Sequence, residues 1–342
     1  MINFDNALIV GVGSIGYKHV KFLNSISTNL FLVDPIFANP NGRKILKEFE
    51  PCQHYKNLVD IRVKFKKNDL AVISNWGPDH FNTMMSLISL GFKNFILEKP
   101  CTDSLIEIES LLSVAQKKEL KISVNQGWYY DKLGSRINQI SENLQIGEAE
   151  AIFIAGGARC ISTAGSHWLS LANQIFLTNP DWIFSEAKND LINPRSSNLS
   201  YYEGIFSFTY PNFKRLSISL TNRSSISGRT EIYWRDAVGS LSANEINIYA
   251  RDEFPVKNPI TRYGLATKLI HREFLGSIED SFFNLYNVFQ NQNQNQFNVD
   301  LKNHLNVNKA IIYALISAEK GKRIKFNEKI KNEFYTRKFK IS

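Results

Sequence analysis

The stretch Ala7-Leu-Ile-Val-Gly-Val-Gly-Ser-Ile-Gly-Tyr17 decides the fold of the first part of the chain. Its apolar residues predict a buried strand, and the spacing G-x-G-x-x-G predicts a tight turn into a helix. The first glycine permits the turn, the second lets the backbone approach a pyrophosphate, and the third lets helix and strand pack closely. The N–H groups that begin the helix would face the anion. A glycine turn with only a packing role is the alternative. The residues assigned to this dinucleotide site are Gly11, Gly13, Ser14, Ile15 and Gly16.

An acidic residue follows the next predicted strand, Asn29–Val33, at Asp34. A carboxylate in this place accepts hydrogen bonds from the ribose 2′-hydroxyl and repels a 2′-phosphate. The sequence therefore predicts NAD as the cofactor rather than NADP. A solvated acidic residue at a strand end is the other interpretation of Asp34.

Composition describes an ordinary globular chain of two domains, with 342 residues, 43% hydrophobic and 21% charged. No apolar run approaches the roughly 20 residues that span a membrane, and no secretory signal begins the sequence. Cys52, Cys101 and Cys160 are scattered and form no C-x-x-C, so we expect neither disulfides nor a metal site. A reducing cytoplasm fits these features best.

The net charge of +9 is concentrated at the C-terminus, where residues 320–342 hold nine Lys or Arg and two Glu. We interpret this stretch as a solvated terminal segment. Attraction of an anionic substrate or of nucleic acid is the alternative, which the absence of any recognition motif disfavours.

Strands and helices alternate strictly through the first 126 residues. Helices are predicted over 42–49, 81–90 and 104–117, and buried strands over 69–74, 94–97 and 121–125. This alternation predicts a doubly wound parallel sheet whose ligands bind beyond the carboxyl ends of its strands. The residues that follow those ends, and should share one cleft, are Gly11, Asp34, Asn75, Lys99 and Gln126.

Beyond residue 126 the pattern changes to strand-like runs separated by Pro, Gly, Asn and Ser. We predict a Rossmann domain over 1–126 and an α+β substrate-binding and oligomerisation domain over 127–342, with a large, mostly antiparallel open sheet. Gln290–Gln296 is interpreted as a polar loop, and a last helix, within about 305–320, is expected to pack back near the Rossmann domain. The predicted strands cover 149–155, 205–210, 216–221, 230–235 and 239–249.

Two segments, Trp76-Gly-Pro-Asp-His80 and above all Glu98-Lys99-Pro100, resemble the Gfo/Idh/MocA oxidoreductases, which include glucose–fructose oxidoreductase and inositol dehydrogenases. The resemblance implies a Rossmann domain followed by a domain on an open antiparallel sheet. It also implies an NAD-dependent reaction on a carbohydrate-like substrate, and a homodimer or homotetramer. Among the implied cofactor neighbours are Asn75, Trp76, His80, Glu98 and Lys99.

By this resemblance Lys99 projects toward the nicotinamide and the substrate hydroxyl. The chemistry supports that role, because a partly desolvated lysine can stabilise developing charge on oxygen or act as a base. A surface lysine after a strand is the alternative. His80 is interpreted as structural or adjacent to the cofactor.

The segment Gly156–Trp168 resembles the family's second catalytic piece, in which an Asp precedes a His by four residues on a helix. Here His167 matches and is a candidate acid or base, whereas the Asp position holds Thr163. Ser170 replaces another acidic residue of the family. Trp128 and Tyr129 could stack on a sugar face or pack between domains.

The sequence thus predicts an oxidoreductase that moves a hydride between NAD and a secondary hydroxyl or ketone of a sugar, cyclitol or nucleotide-activated sugar. The alternative is an NAD-binding protein of the same fold without turnover, a sensor, because Thr163 and Ser170 replace carboxylates.

Overall fold

The computed structural model describes residues 4–26, 28–39, 47–49, 51–189, 191–193, 196–225, 228–242, 245–251, 267–275 and 278–341. These form two compact units. The first comprises Met1–Gln126, Phe282–Asn308 and Tyr335–Ser342, and the second comprises Gly127–Ser281 and Lys309–Phe334. The units are therefore not two consecutive halves of the chain.

The described strands are numbered in chain order. They are β1 Asn6–Val10, β2 Asn29–Val33, β3 Gln53–Tyr55, β4 Leu70–Ile73, β5 Asn94–Leu97, β6 Lys121–Val124, β7 Ala149–Gly157, β8 Trp182–Lys188, β9 Glu203–Thr209, β10 Arg215–Leu220, β11 Arg229–Trp234, β12 Ala237–Leu241, β13 Glu245–Arg251, β14 Thr267–Phe274 and β15 Ile324–Lys325.

The described α-helices are numbered in the same way. They are α1 Ser14–Ser25, α2 His80–Ser89, α3 Leu105–Lys118, α4 Gly127–Tyr130, α5 Leu133–Asn143, α6 Ile161–Phe176, α7 Ile278–Asn291, α8 Gln294–Lys320 and α9 Asn332–Tyr335. Of the helix predicted over 42–49, only residues 47–49 fall within the described part of the chain.

The first unit is built on a six-stranded sheet of order β3-β2-β1-β4-β5-β6. Every pairing in it is parallel. β4 is buried along its whole length and β5 at every residue after Asn94, as continuous apolar runs require when both faces of a parallel sheet are covered. The predicted doubly wound Rossmann sheet is confirmed.

The second unit is built on a nine-stranded sheet of order β14-β13-β12-β11-β7-β10-β9-β8-β15. Among the described strands of this sheet only β7 and β10 pair in parallel, so the predicted, mostly antiparallel sheet is confirmed. The run predicted over 239–249 is in fact two strands, β12 and β13, which pair as neighbours.

The polar loop predicted over Gln290–Gln296 is wrong, because only residues 292 and 293 separate α7 from α8. Packing between apolar side chains explains why the two helices extend so close to each other: Phe289 and Phe297 are buried, with ring centroids 5.2 Å apart. Asn293 accepts the backbone N–H of Gln296 on its side-chain oxygen at 3.0 Å, which starts α8.

The prediction of a solvated C-terminal segment is also wrong for its last residues. Phe339 and Ile341 are buried, and the N–H of Phe339 donates to the carbonyl of Asp103 at 2.8 Å. Lys338 lies 2.8 Å from the Glu107 carboxylate. Charge composition could not reveal this, because the buried acidic partners lie far away in the sequence.

Among the helices that the structure describes, none combines the length and the apolarity that crossing a lipid bilayer requires.

Candidate functional site

The site in the first unit is formed where its parallel strands end. Val10 pairs with Val33 and with Ile73, and Leu97 pairs with Ile73 and with Val124. Because these terminal residues are in register, the residues that follow them share one edge of the sheet. Those residues are Gly11, Asp34, Ser74, Glu98 and Asn125.

The glycine turn has the shape that a pyrophosphate requires. Gly11 has a φ of +90°, and a Cβ there would lie 2.4 Å from the backbone nitrogen of Asn75. A Cβ on Gly16 would lie 1.9 Å from the carbonyl oxygen of Gly11. Around Gly13, in contrast, no heavy atom lies within 4 Å of an added Cβ. Backbone atoms thus leave no room for a side chain at Gly11 and Gly16, whereas open space lies beside Gly13, where α1 begins.

The start of α1 is accessible. Gly13, Ser14 and Ile15 are exposed, and Gly13 is the N-cap with no side-chain cap bond. Unpaired N–H groups and the positive end of the helix dipole therefore face the open space above Gly13. This arrangement fits a dinucleotide pyrophosphate.

Asp34 is fixed beside the glycine turn. One carboxylate oxygen accepts the Val12 N–H at 2.6 Å and the other accepts the Ile36 N–H at 2.8 Å. Each oxygen keeps a second lone pair, and the side chain is only partly buried. The carboxylate is therefore held in position while it can still accept hydrogen bonds from ribose hydroxyls.

The loop after β4 and the first residue of α2 provide three of the predicted cofactor neighbours, Asn75, Trp76 and His80. Asn75 donates to the Thr83 hydroxyl at 2.9 Å, and Trp76 is 45% exposed at the surface. His80 is buried, with its ring nitrogens 2.7 Å from the Pro100 carbonyl and 3.0 Å from the Asn75 carbonyl. Burial lowers the pKa of His80 despite these two bonds. His80 thus joins two loops and directs neither ring nitrogen outward.

The turn that carries Lys99 is supported from several sides. Glu98 is buried and accepts from the Asn125 amide at 2.6 Å and from His19 at 3.0 Å. Lys99 is half-buried, and its peptide bond to Pro100 is cis. Farther along, Asn308 accepts the Cys101 N–H at 2.9 Å and donates to the Thr102 carbonyl at 3.0 Å.

The other predicted residues lie in the second unit. His167 and Thr163 occupy α6 one turn apart, and the Thr163 hydroxyl donates to the Cys160 carbonyl at 3.1 Å. The rings of His167 and Trp128 meet edge to face with centroids 6.1 Å apart. Tyr129 is half-buried next to Tyr130, with ring centroids 5.4 Å apart. The structure thus brings His167 and Trp128 together.

Gln126 was expected to share the cleft of the first unit, but it is buried and its side-chain oxygen lies 2.9 Å from a ring nitrogen of His304. Burial lowers the pKa of His304 to about 3, so this ring is neutral and donates to Gln126. Gln126 therefore has an internal role.

Sequence reasoning missed the supports of the Lys99 turn. Asn125, Asn308 and Tyr286 carry no motif, and only the hydrogen bonds that they make in the folded chain distinguish them. In the described residues no group of three or more His, Cys, Asp or Glu is arranged to hold a metal ion.

Comparison with known proteins agrees with this geometry. Residues 6–126 match the GFO_IDH_MocA family model, described as an oxidoreductase family with an NAD-binding Rossmann fold. No curated protein is significantly similar to the chain in sequence.

Solved structures share the fold at low sequence identity. An Agrobacterium radiobacter oxidoreductase in complex with NAD+, L-tartaric acid and magnesium superposes with a TM-score of 0.69 and 11% identity, covering 95% of this chain and 99% of its own. The UDP-N-acetylglucosamine 3-dehydrogenase GnnA of Acidithiobacillus ferrooxidans gives 0.65 and 15%, with coverages of 92% and 98%. The transcriptional regulator Gal80p of Kluyveromyces lactis gives 0.68 and 13%, with coverages of 96% and 92%.

Proposed function

We propose that this protein is an NAD-dependent oxidoreductase of the Gfo/Idh/MocA family, because residues 6–126 match the model of that family's NAD-binding Rossmann fold. Its reaction would move a hydride between the nicotinamide and a secondary hydroxyl or ketone of a carbohydrate-like substrate. The observation that carries this proposal is the row of strand ends, which holds the glycine turn, Asp34 and the Lys99 turn on one sheet edge.

Each residue of the row has a separate task in the proposal. The open backbone at Gly13 and the exposed start of α1 bind the pyrophosphate, and the clamped Asp34 carboxylate binds the adenosine ribose and rejects a 2′-phosphate. When bound, NAD+ supplies the hydride acceptor. The Lys99 amino group binds the substrate oxygen; as a neutral amine it takes the hydroxyl proton, or as an ammonium it stabilises the negative charge that develops on the oxygen while the hydride leaves the carbon.

In the second unit we assign substrate contacts to Trp128 and His167, with Tyr129 as a further candidate. An edge of Trp128 already packs on His167, so an aromatic surface and an imidazole lie together there. Thr163 can hydrogen-bond a substrate but, unlike a carboxylate, cannot carry charge. The substrate class is a sugar, cyclitol or nucleotide-activated sugar, as the GnnA similarity suggests.

The proposal is tested by nicotinamide absorbance with a panel of UDP-sugars, free aldoses and inositols, in both reaction directions. We expect turnover with one class, and a loss of about 10²- to 10⁴-fold in kcat for Lys99→Ala. Lys93→Ala, which changes the half-buried lysine directly before β5, at the end of the strand opposite to Lys99, is the matched control. A Lys99→Ala variant as active as the parent would exclude the role given to Lys99.

A second function is favoured by Thr163 and Ser170, which replace family carboxylates, and by the similarity to a transcriptional regulator. In that case the protein binds NAD and senses it without turnover. The two functions separate in the same assay: tight NAD+ binding without hydride transfer across the whole panel would favour the sensor.

We further propose a homodimer formed through the open face of the nine-stranded sheet. Phe153, Phe184, Ile205 and Tyr233 are 38–50% exposed on that sheet, and the Phe153 and Tyr233 rings meet edge to face at 5.4 Å. Exposed aromatic rings of this size are typical of association surfaces.

A further inference from the structure

A chain of hydrogen bonds behind the Lys99 turn links two residues of the strand-end row, buried Glu98 and half-buried Asn125, to the buried side chains of His19 and Tyr286. His19, on α1, is fully buried; one ring nitrogen lies 3.0 Å from a Glu98 carboxylate oxygen and the other 2.8 Å from the Tyr286 hydroxyl. The same Glu98 oxygen accepts from the Asn125 amide at 2.6 Å. All four residues belong to the first unit.

The protons of this chain can be placed from its donors and acceptors. Burial raises the pKa of Tyr286 well above its usual range, so its hydroxyl keeps its proton and donates to His19. The other His19 nitrogen then donates to Glu98. Burial alone would raise the pKa of Glu98, but His19, Lys99 and Asn125 together hold it below its usual value. Glu98 is therefore a buried carboxylate in its charged form.

This chain of hydrogen bonds joins two parts of the proposed site. His19 lies on the helix whose first turn faces the pyrophosphate, and Glu98 directly precedes Lys99. His19 also contacts Phe282, with ring centroids 4.9 Å apart, so the imidazole cannot swing away without opening the core.

We propose that His19 is a positioning residue that, through Glu98, fixes the Lys99 turn and maintains a negative charge beside the Lys99 amino group. This inference rests on the proposed function for its catalytic meaning, although its physical content is confined to the first unit. The titratable groups that face Glu98 are His19, Lys99, His80 and Tyr286.

The charge beside Lys99 can be measured without a substrate. We would follow the pH dependence of Lys99 acetylation by trace acetic anhydride with mass spectrometry, in the full chain and in His19→Leu. Loss of the His19 donor lets Glu98 take a proton or move, so the midpoint of Lys99 labelling should fall by roughly 0.5–1 pH unit. Exposed Lys118 in the same protein is the internal control and should label identically in both.

Two further variants separate positioning from packing. His19→Gln keeps an N–H donor toward Glu98 and should restore most of the labelling midpoint. Tyr286→Phe keeps the ring that packs on His19 but removes the hydroxyl, and it should shift the midpoint in the same direction as His19→Leu, by less. If His19→Leu is unfolded, the midpoint of Lys99 labelling in Tyr286→Phe alone tests the inference.

NAD+ calorimetry on the same proteins distinguishes the two proposals. Retention of NAD+ affinity within about threefold, with a shifted Lys99 midpoint, is the expected result for a folded His19→Leu protein. An unshifted midpoint in both His19→Leu and Tyr286→Phe would overturn the inference. Failure of the parent protein to bind NAD+ would instead contradict the proposed function. The labelling experiment needs no cofactor, so it would still test the role of His19.

Discussion

At the residue scale, the proposed preference for NAD depends on how rigidly one carboxylate is held. Asp34 accepts two backbone N–H groups, from Val12 and Ile36, so its orientation is set by the glycine turn and by its own strand end. A pre-positioned acceptor binds a ribose hydroxyl without paying side-chain entropy, and it meets a 2′-phosphate as a like charge.

Asp34→Ala should therefore exchange cofactor preference. We expect NAD+ affinity to fall by about tenfold and NADP+ affinity to rise by about tenfold, about 1.4 kcal/mol each. Titration calorimetry of both nucleotides on the parent and the variant measures this. Asp5→Ala, at an exposed acidic residue of the same unit, should leave both affinities unchanged. Continued exclusion of NADP+ by Asp34→Ala would show that another group rejects the phosphate.

At the element scale, the C-terminal segment and the start of α3 form one structure. Asp103 and Glu107 are buried, and Lys338 lies 3.4 Å from the first carboxylate and 2.8 Å from the second. Burial, reinforced by the neighbouring Glu107, raises the pKa of Asp103 to about 7, although Lys338 opposes the shift. Both oxygens of Asp103 lack a hydrogen bond among the described residues. The segment therefore supplies the cation that an acidic pair in the core requires.

This pair makes stability depend on pH. A carboxyl whose pKa is about 7 in the folded state and about 3.9 in the unfolded state binds its proton more tightly when folded. Its contribution to stability is hence greatest below about pH 4 and is lost as pH rises to about 7.

Lys338→Met should destabilise the protein by about 1–2 kcal/mol at pH 8.5 and by clearly less at pH 5.5, where Asp103 takes up a proton. Urea unfolding at the two pH values measures the difference. Lys329→Met, at an exposed lysine of the neighbouring segment, is the control, and adding Asp103→Asn to Lys338→Met should recover stability at pH 8.5. Equal losses at both pH values would argue against a charge effect.

At the scale of the whole molecule, the second unit has one covered and one open sheet face. Along β7, Ile152 and Ile154 are buried while Phe153 between them is 40% exposed. Phe153 pairs laterally with Ser217 and Glu231, so the open face alternates aromatic and polar side chains. The open face is therefore only partly apolar.

Phe153→Glu should dissociate the proposed dimer. Light scattering during size-exclusion chromatography is expected to give twice the mass of one chain for the parent and a single chain for the variant, because an unpaired charge would be buried in the interface. Leu177→Glu, at an 80% exposed residue after α6, should remain dimeric. A parent that elutes as a single chain at micromolar concentration would contradict the dimer.

The Rossmann half was predictable because its signals are local. Periodicity in 6–126 gave the alternation of strands and helices, and the glycine spacing with Asp34 indicated one sheet edge, which the strand register confirms. Parallel strands that are buried on both faces have continuous apolar sequences, and such a sequence is recognised from a few neighbouring residues. The residue roles proposed there remain predictions.

Only the tertiary structure decided what supports that edge. Tyr286, Asn308 and Phe339 contact His19, Thr102 and Asp103 across more than 200 residues of chain. No local period records such contacts, since a buried asparagine or lysine has the same sequence signature as a solvated one. The sequence by itself thus determined the sheets and the sheet edge that carries the glycine turn and Asp34. Long-range burial determined which polar residues hold the Lys99 turn, because a polar group taken out of water must find its partner wherever the fold brings one.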